Sequence, residues 1–487
     1  MPLTFRTALI LTFIVVTALA DDAPSPRETP FVRIIRDVQP AVAVVYVRTE
    51  SGQGSGSGSV IDPRGYVLTA SHVVGKDHVV LLAGRPPLRA ELIGTMPEFD
   101  LALLKLGGEA FNRPASPTYP LAGTPPAFIR LGLANEVMLG EPVLNIGSPG
   151  GRGIVVTQGI LSSLGISGGN ALSLATQSSN GFNQFFQFDA ANNPGNSGGP
   201  LVNAIGQQIA VVTSSIRGEE GVHFAVPTDS IRLSLSEMLN AELRHRYVSG
   251  IAVDPQTADV RIVSVEPNSP AAASDVRVGD VIVSIDGRAL RDPVDWEFMR
   301  FDLRPEQEIT LGLKREGQEL SATLKLAPRE HHPAVEVAKT EPGLQCRVAA
   351  YDPRVSDPLS DDNHPAGPPM IIPEVTATPP RLPREEHYEL LIEGLLEIKE
   401  AGLYRLALKS DDGSKLFLHN RLVLDNGGNH APQIRTGWVD LAVGLHPLRI
   451  EFYEDEGNQL LELSIAKDSS ALRPVRADEL WHEMPPE

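Results

Sequence analysis

Between residues 31 and 240, short apolar runs alternate with polar positions and are punctuated by Gly and Pro. Ala41–Val47, His78–Leu82 and Ile209–Thr213 are of this kind. A period of two marks strands with one face on a core, so the pattern predicts an all-β region. After it the period changes. Thr228 or Asp229 is placed to cap a helix whose Ile231, Leu235, Met238 and Leu239 fall on one face. Tyr247 to about Ala327 forms a second unit of short strands, in which Asp292-Pro293 opens a helix carrying Val294, Trp296, Phe298, Met299, Phe301 and Leu303. From Gly343 the chain changes character again. Pro-rich residues 353–384 lead into period-two strands from Tyr388 onward, joined by Asp/Gly turns, which indicates a β-sandwich. With 487 residues, 42% of them hydrophobic, there is material for about three domains of the usual ~150 residues.

The stretch with the densest chemistry is Asp189–Asn203, centred on Gly195-Asn196-Ser197-Gly198-Gly199-Pro200. A serine hydroxyl is a poor nucleophile until a base takes its proton and donors hold the oxyanion. Set among glycines, Ser197 can sit on a tight turn where the Gly195 and Ser197 amides point at one oxygen. His72, at the end of Leu68-Thr-Ala-Ser-His, and Asp100, in Phe99-Asp-Leu-Ala-Leu-Leu-Lys105, complete a His, Asp, Ser order along the chain. That is the order of chymotrypsin-type proteases.

The chain from about Thr29 to Asn240 resembles an HtrA (DegP-like) serine protease. The matching pieces are Phe31-Val-Arg-Ile-Ile, Gly54–Asp62, the His72 and Asp100 segments, Leu144–Gly150, Val155–Ile160 and the Ser197 segment. The resemblance implies a chymotrypsin-like pair of six-stranded barrels, residues 31 to about 118 and about 125 to 226, with the site in the cleft between them. It implies Ser197 as nucleophile, His72 as general base and acid, Asp100 as the group that orients His72, and an oxyanion hole of Gly195 and Ser197. Such proteases are typically trimers held by their N-terminal segments, for which Phe31, Ile34 and Ile35 are the candidates. Two positions depart from the family pattern: Asn192 stands where an apolar residue is usual, and His223 where a glycine is. Both are expected near the primary specificity pocket, with polar or acidic side chains tolerated increasingly as His223 protonates.

Residues 247–328 resemble the PDZ domain that follows such proteases, the peptide-carboxylate loop being Tyr247, Val248, Ser249, Gly250 and Ile251, with Ser249 a slight departure. Residues 342–470 resemble the β-sandwich of anthrax protective antigen. In lectin members of that group paired aspartates hold Ca²⁺, and Asp411-Asp412 occupy the matching position. The same Ser-Asp-Asp-Gly-Ser run is also a good turn. Residues 329–341 read as a linker, whose His331-His332 are expected to be solvated rather than metal-bound, and 471–487 as a C-terminal tail.

Residues 1–20 read as a secretory signal: Arg6, an apolar run from Ala8 to Val16, then Ala18-Leu19-Ala20. Polar, Pro-rich residues 21–30 read as flexible. The net charge of −19 becomes one unit more negative without the signal, and disfavours nucleic acid and anionic membranes as partners. Cys346 is the sole cysteine, so no intrachain disulfide can form. The reading is therefore a mainly β, exported endopeptidase of periplasm or cell envelope, needing no cofactor for catalysis. It acts on unfolded proteins, takes C-terminal peptides on its PDZ module and docks to a glycan or cell surface through its last domain. The alternative is a catalytically silent PDZ-containing scaffold.

Overall fold

The computed structural model describes residues 27–484 except 50–51, 76, 109–110, 112–114, 168–183, 216–220, 351–364, 366–367, 431, 456, 458 and 469. The expected signal segment 1–20, and residues 21–26 after it, lie outside the described residues. Among the described residues no helix is long and apolar enough to cross a membrane.

The first barrel closes in the order β1-β2-β3-β6-β5-β4. Its strands are β1 (Val42–Thr49), β2 (Gly52–Asp62), β3 (Tyr66–Ala70), β4 (Asp77–Leu81), β5 (Leu88–Met96) and β6 (Leu101–Leu106). The second closes as β10-β11-β12-β9-β8-β7, built from β7 (Pro142–Gly147), β8 (Val155–Ser167), β9 (Gln184–Phe188), β10 (Pro200–Asn203), β11 (Gln208–Ser215) and β12 (His223–Pro227). Inward residues such as Val45, Val67 and Leu104 fill the first barrel and Val143, Phe188 and Ala210 the second.

Within the region expected to be all-β, the chain first forms a helix, α1 (Pro30–Val38), which begins at the last residue of the segment expected to be flexible. Thr29 Oγ1 accepts from the Val32 amide at 3.3 Å, and Pro30 supplies a helix-ready φ at the first turn. Phe31, Ile34, Ile35 and Val38 recur at helical spacing and pack on the first barrel's core. The three residues expected at a trimer contact are thus largely spent on their own barrel, while Val32 is the exposed apolar one.

Helix α2 (Thr228–Leu239) buries Ile231, Leu235, Met238 and Leu239 together. Its cap differs from expectation: Thr228 is already helical, Pro227 holds the cap position, and Asp229 Oδ1 accepts from the Ser230 amide. A short α3 (Ala241–Arg244) leads to the middle domain.

The middle domain comprises β13 (Tyr247–Val248), β14 (Ile251–Val253), β15 (Ile262–Val265), α4 (Pro270–Ala273), β16 (Val281–Ile285), β17 (Arg288–Ala289), α5 (Pro293–Arg300), β18 (Glu308–Arg315), β19 (Gln318–Lys325) and β20 (Ala327–Pro328). Asp292 caps α5 through the Asp295 amide at 3.0 Å. This helix also faces the first barrel. Phe298 stacks on Tyr66 with ring centroids 4.3 Å apart, and Arg64 Nη1 donates to the Phe298 carbonyl at 2.7 Å.

The C-terminal domain is a sandwich. One sheet runs β21-β32-β24-β29-β26-β27, with β22 and β23 added beside β24; the other runs β28-β25-β30-β31. The strands are β21 (Thr340–Pro342), β22 (Leu344–Ala350), β23 (Met370–Ile372), β24 (Tyr388–Ile398), β25 (Gly402–Asp411), β26 (Ser414–Leu418), β27 (Arg421–Asn426), β28 (Gln433–Leu441), β29 (Gly444–Glu454), β30 (Leu460–Lys467), β31 (Arg473–Pro474) and β32 (Leu480–Glu483). Leu390, Ile450 and Phe452 of one sheet face Leu406, Leu408 and Leu463 of the other. Two expectations are corrected here. The 471–487 tail contributes β31 and β32. The 329–341 linker is bridged to the sandwich at His332–Leu441 and Val335–Leu445. Backbone amides and carbonyls pair whatever their side chains, so polar, Pro-rich composition did not announce these edges.

This domain also docks on the first barrel. Arg405 Nη1 donates to Thr95 Oγ1, and Thr436 Oγ1 lies 3.4 Å from both Glu98 oxygens, all four residues being buried. The contact lies against the 3₁₀ turn Pro97–Phe99, which immediately precedes Asp100.

Candidate active site

β3 ends in the 3₁₀ turn Ser71–Val73, which carries His72. β6 is preceded by the turn that leaves Asp100 left-handed, at φ 53°, a conformation Asp tolerates better than most residues. The Ser71 amide donates to the Asp100 carbonyl at 3.0 Å, so the two strand ends are tied together. His72 Nδ1 lies 2.8 Å from Asp100 Oδ2 and 3.0 Å from Oδ1. Asp100 further accepts from the His72 amide at 3.1 Å, Ser71 Oγ at 2.9 Å and Thr213 Oγ1 at 2.5 Å.

These bonds set the electrostatics. The Asp100 hydrogen bond, outweighing the opposing effect of burial, raises the His72 pKa above 6.5. Burial alone would raise Asp100, but the bonds from His72 and Thr213 prevail and hold it below 3.8. With Nδ1–H donated to Asp100, Nε2 of the half-exposed His72 is left as the acceptor, and it has no partner among the described residues.

Ser197 sits on the turn entering β10. Ser57 of β2 holds it from the first barrel: the Ser57 amide donates to the Ser197 carbonyl at 2.8 Å, and Ser57 Oγ to the Gly195 carbonyl at 2.7 Å. A Cβ on Gly198 would come within 2.2 Å of the Ser57 carbonyl, so glycine is required for this approach. Ser197 Oγ donates to the Thr213 carbonyl at 3.0 Å, not to His72. Thr213 therefore touches both ends of the site, Ser197 through its carbonyl and Asp100 through its hydroxyl. The Gly195 and Ser197 amides donate to no group among the described residues. The arrangement thus holds an imidazole nitrogen and two backbone amides without partners among the described residues, and a serine hydroxyl anchored on Thr213.

Three regions of the chain match known domain families: residues 56–211 the trypsin-like peptidase domain, 249–326 the PDZ domain and 351–475 the PA14 domain. The chain carries an HtrA/DegP-like pairing of trypsin-like peptidase and PDZ domains, followed by a PA14 domain. It is 32% identical over 316 residues to a probable periplasmic serine endoprotease DegP-like of Ectopseudomonas mendocina, covering 61% of each chain. It is 34% identical over 298 residues to that of Pseudomonas fulva, covering 58% of this chain and 57% of the relative. The chain thus spans about three fifths of these relatives' length. Among solved structures, a serine endoprotease from Yersinia pestis is 28% identical, with a TM-score of 0.34 over 62% of this chain and 99% of that one. The HtrA-type protease AlgW with tripeptide is 31% identical, with a TM-score of 0.35 over 62% and 97%.

The remaining candidate residues have definite surroundings. Asn192 Oδ1 accepts from Asn145 Nδ2 at 3.2 Å, which fixes it beside the Ala191 carbonyl that Asn145 also holds. His223 opens β12, is buried, and packs its ring against Phe188 with centroids 5.5 Å apart. Burial lowers its pKa below 6.5.

In the PDZ loop, Tyr247 and Val248 pair with β20. The Ser249 amide donates to Glu242 Oε1 at 3.2 Å, and its hydroxyl bonds the same oxygen. The Ile251 amide donates to Ser249 Oγ at 3.3 Å. Gly250, at φ 77°, is the turn. A carboxylate of the chain itself, from α3, therefore engages the loop expected to receive a peptide carboxylate.

Asp411 and Asp412 are buried and joined by a cis peptide bond. Asp412 takes the His430 amide at 2.8 Å and the Asp455 amide at 2.9 Å, so it is a working turn aspartate. Next to it Glu454 is fully buried, and neither of its oxygens has a hydrogen-bond partner among the described residues. Burial, with Asp412 and Asp411 adding to it, pushes the Glu454 pKa up to about 8. Among the described residues these three carboxylates do not bring their oxygens within 4.8 Å of one another, so a cation there would need them to move together.

Sequence reasoning missed Ser57, Ser71, Thr213, Glu242 and Glu454. Single hydroxyls and carboxylates on strands or short helices carry no local signature.

Proposed function

We propose that this chain is an exported serine endopeptidase cleaving unfolded or damaged proteins through Ser197, His72 and Asp100. The observation that carries the reading is the His72–Asp100 pair at 2.8 Å, with Nε2 free, beside a nucleophile turn whose Gly195 and Ser197 amides are unspent. Substrate binding turns Ser197 Oγ from the Thr213 carbonyl to His72 Nε2. As Oγ attacks the scissile carbonyl carbon, its proton passes to Nε2 and the carbonyl oxygen becomes an oxyanion held by the Gly195 and Ser197 amides. Asp100 holds the imidazolium in place. His72 then gives the proton to the leaving amine, and a water molecule, deprotonated by the same nitrogen, hydrolyses the acyl-enzyme. One oxyanion donor is worth roughly 10²–10³ in kcat in such sites.

Asn192 and His223 stand as pocket residues in this reading. His223 acts on acidic side chains only below pH 6.5, because its burial against Phe188 disfavours the charged ring. The PDZ domain captures C-terminal peptides once Glu242 is displaced. The PA14 domain docks to a glycan or surface partner, with Asp411 and Asp412 the candidates to hold Ca²⁺, which would present sugar hydroxyls with a cation to coordinate. The chain acts in the periplasm or envelope as a homotrimer, and light scattering at micromolar concentration tests that state. Reduced casein incubated with the purified protein tests the activity: cleavage that Ser197→Ala abolishes supports it, and cleavage undiminished by that change refutes it. The Ser197–Thr213 bond is what favours the second reading, a silent scaffold, which predicts no cleavage by either form.

A further inference from the structure

The fold brings together three histidines that are far apart in the sequence. His332 lies on the segment joining the PDZ and PA14 domains, His419 in the turn between β26 and β27, and His446 on β29. One ring nitrogen of each lies within 4.8 Å of the others. We propose that His332, His419 and His446 form a binding site for one divalent transition-metal ion of the zinc class, which clamps the PDZ–PA14 connection to the sandwich.

The backbone fixes all three positions before any ion arrives. His332 is stitched to the end of β28: its amide donates to the Asp440 carbonyl at 2.8 Å, and its carbonyl accepts from the Ala442 amide at 3.0 Å. The His419 amide donates to the Pro447 carbonyl at 3.0 Å. His446 is completely buried. The rings follow from this framework. His419 Nε2 is 2.9 Å from His446 Nδ1, and the His332 and His419 ring centroids are 3.9 Å apart.

The outward nitrogens are the second observation. A metal-bound histidine usually donates its other N–H to a carbonyl or carboxylate, which fixes the ring and the tautomer. His446 Nε2 lies 3.0 Å from the Ala442 carbonyl, leaving Nδ1 as its ligand atom. His332 Nδ1 lies 3.3 Å from the Pro333 carbonyl, leaving Nε2. His419 Nε2, 2.9 Å from His446 Nδ1, is the nitrogen it turns towards the other two rings. Imidazole nitrogens suit zinc, copper and nickel rather than Ca²⁺ or Mg²⁺. Zinc at about 2.0–2.1 Å from each nitrogen wants them about 3.3 Å apart, within a small ring movement of the separations seen. Beside His332 and His419 lies a cavity of about 370 Å³, also lined by Glu330, Asp440 and Arg421, which gives a fourth ligand or water access to the ion.

The clamp has a mechanical sense. Next to His332, His331 Nδ1 bonds Asp440 on β28, and its Nε2 faces Arg246 Nη1 at 2.9 Å. Arg246 also donates to the Arg329 carbonyl. An ion at His332 therefore braces the chain between the PDZ entry and the PA14 sheet. Without an ion the side-chain contacts reduce to one His419–His446 hydrogen bond and a tilted His332–His419 ring pair.

The test uses the metal-stripped full chain, with Zn²⁺ titrated by calorimetry and Co²⁺ by its visible absorption. One ion per chain is expected, with cobalt bands of a nitrogen-coordinated site. Because His446 is buried, the variants are His332→Ala and His419→Ala, both checked for an unchanged unfolding profile in the absence of metal. Each should lose at least tenfold in affinity and lose the cobalt bands. Limited proteolysis between residues 329 and 341 should slow on adding Zn²⁺ in the parent and not in the variants. Absence of binding, or a loss under tenfold in either folded variant, overturns the site.

Discussion

Glu98 is two residues before Asp100 and faces the docked PA14 domain, which makes it a sensitive reporter of that contact. Its side chain is buried, and burial is the main reason its pKa rises from 4.5 to about 7. Glu237 of α2 adds repulsion, while Arg435 of β28 and the Thr436 hydroxyl pull the other way. A difference of about 2.5 pKa units, at 1.36 kcal/mol each, is about 3 kcal/mol. The sign follows from the higher folded value. Below pH 4.5 the group is neutral in both states, and its full favourable term is present. As pH rises towards and through 7, the unfolded chain ionises freely while the folded one resists, so that stability is lost. Glu98→Gln removes the titration and keeps the shape. The variant should match wild type near pH 4.5 and gain on it progressively to pH 8, by up to about 3 kcal/mol. Calorimetric unfolding of both proteins at pH 4.5, 6, 7 and 8 is the assay. Other raised carboxyls such as Glu389 and Glu454 cancel in the difference between the two curves. Parallel curves for variant and wild type would refute the reasoning.

Four other outcomes are expected. Asp100→Asn should lower kcat by about 10⁴ while the fold survives, since His72 loses the acceptor that sets its tautomer; a loss under tenfold in casein cleavage would remove Asp100 from its role. Because His72 is raised above 6.5, kcat/KM should climb with pH through an inflection above 6.5, and an inflection below it would contradict the pairing. Glu242→Ala frees the Ser249 amide and hydroxyl, so a peptide with a free apolar C-terminus should bind about tenfold more tightly, one charge-assisted bond's worth; calorimetry showing equal or weaker binding by the folded variant rejects the self-occupied loop. Millimolar Ca²⁺ should raise the melting temperature of the full chain, and Asp411→Asn should cancel the rise; no response in wild type reduces the pair to a turn.

The triad candidates were legible because each sits in a short local motif: a histidine after a strand, an aspartate before one, a serine among glycines. The barrels were legible from period-two runs. What escaped was anything made by two distant segments. Thr213 is an ordinary strand threonine until the barrels close and set it between Ser197 and Asp100. His331-His332 look solvated in sequence because their partners, Asp440 for one and His419 with His446 for the other, arrive only when the sandwich forms. The α1 periodicity of Phe31, Ile34, Ile35 and Val38 was present in the sequence. It does not read as a helix because the chain from residue 31 onward reads as all-β, although a proline at a first helical turn favours a helix.

The PA14 sheet β28-β25-β30-β31 reaches the first barrel, Asp411 and the His332 segment. β25 carries Arg405 on Thr95 of the first barrel and, six residues on, Asp411. At about 3.4 Å per residue the two are roughly 20 Å apart on one strand. β28 carries Thr436 on Glu98, and its end is stitched to His332. A ligand at Asp411, or an ion at His332, can act on cleavage only by binding the docked and undocked arrangements of this sheet with different affinity. The turn it docks against, Pro97–Phe99, sets the backbone of Asp100, so undocking is felt first at the His72–Asp100 bond. Coupling of this kind is reciprocal in binding: whatever favours docking should make a substrate-like inhibitor at Ser197 strengthen Ca²⁺ or Zn²⁺ binding by the same factor. Glu98→Gln, which stabilises the docked face above pH 7, should therefore shrink that factor.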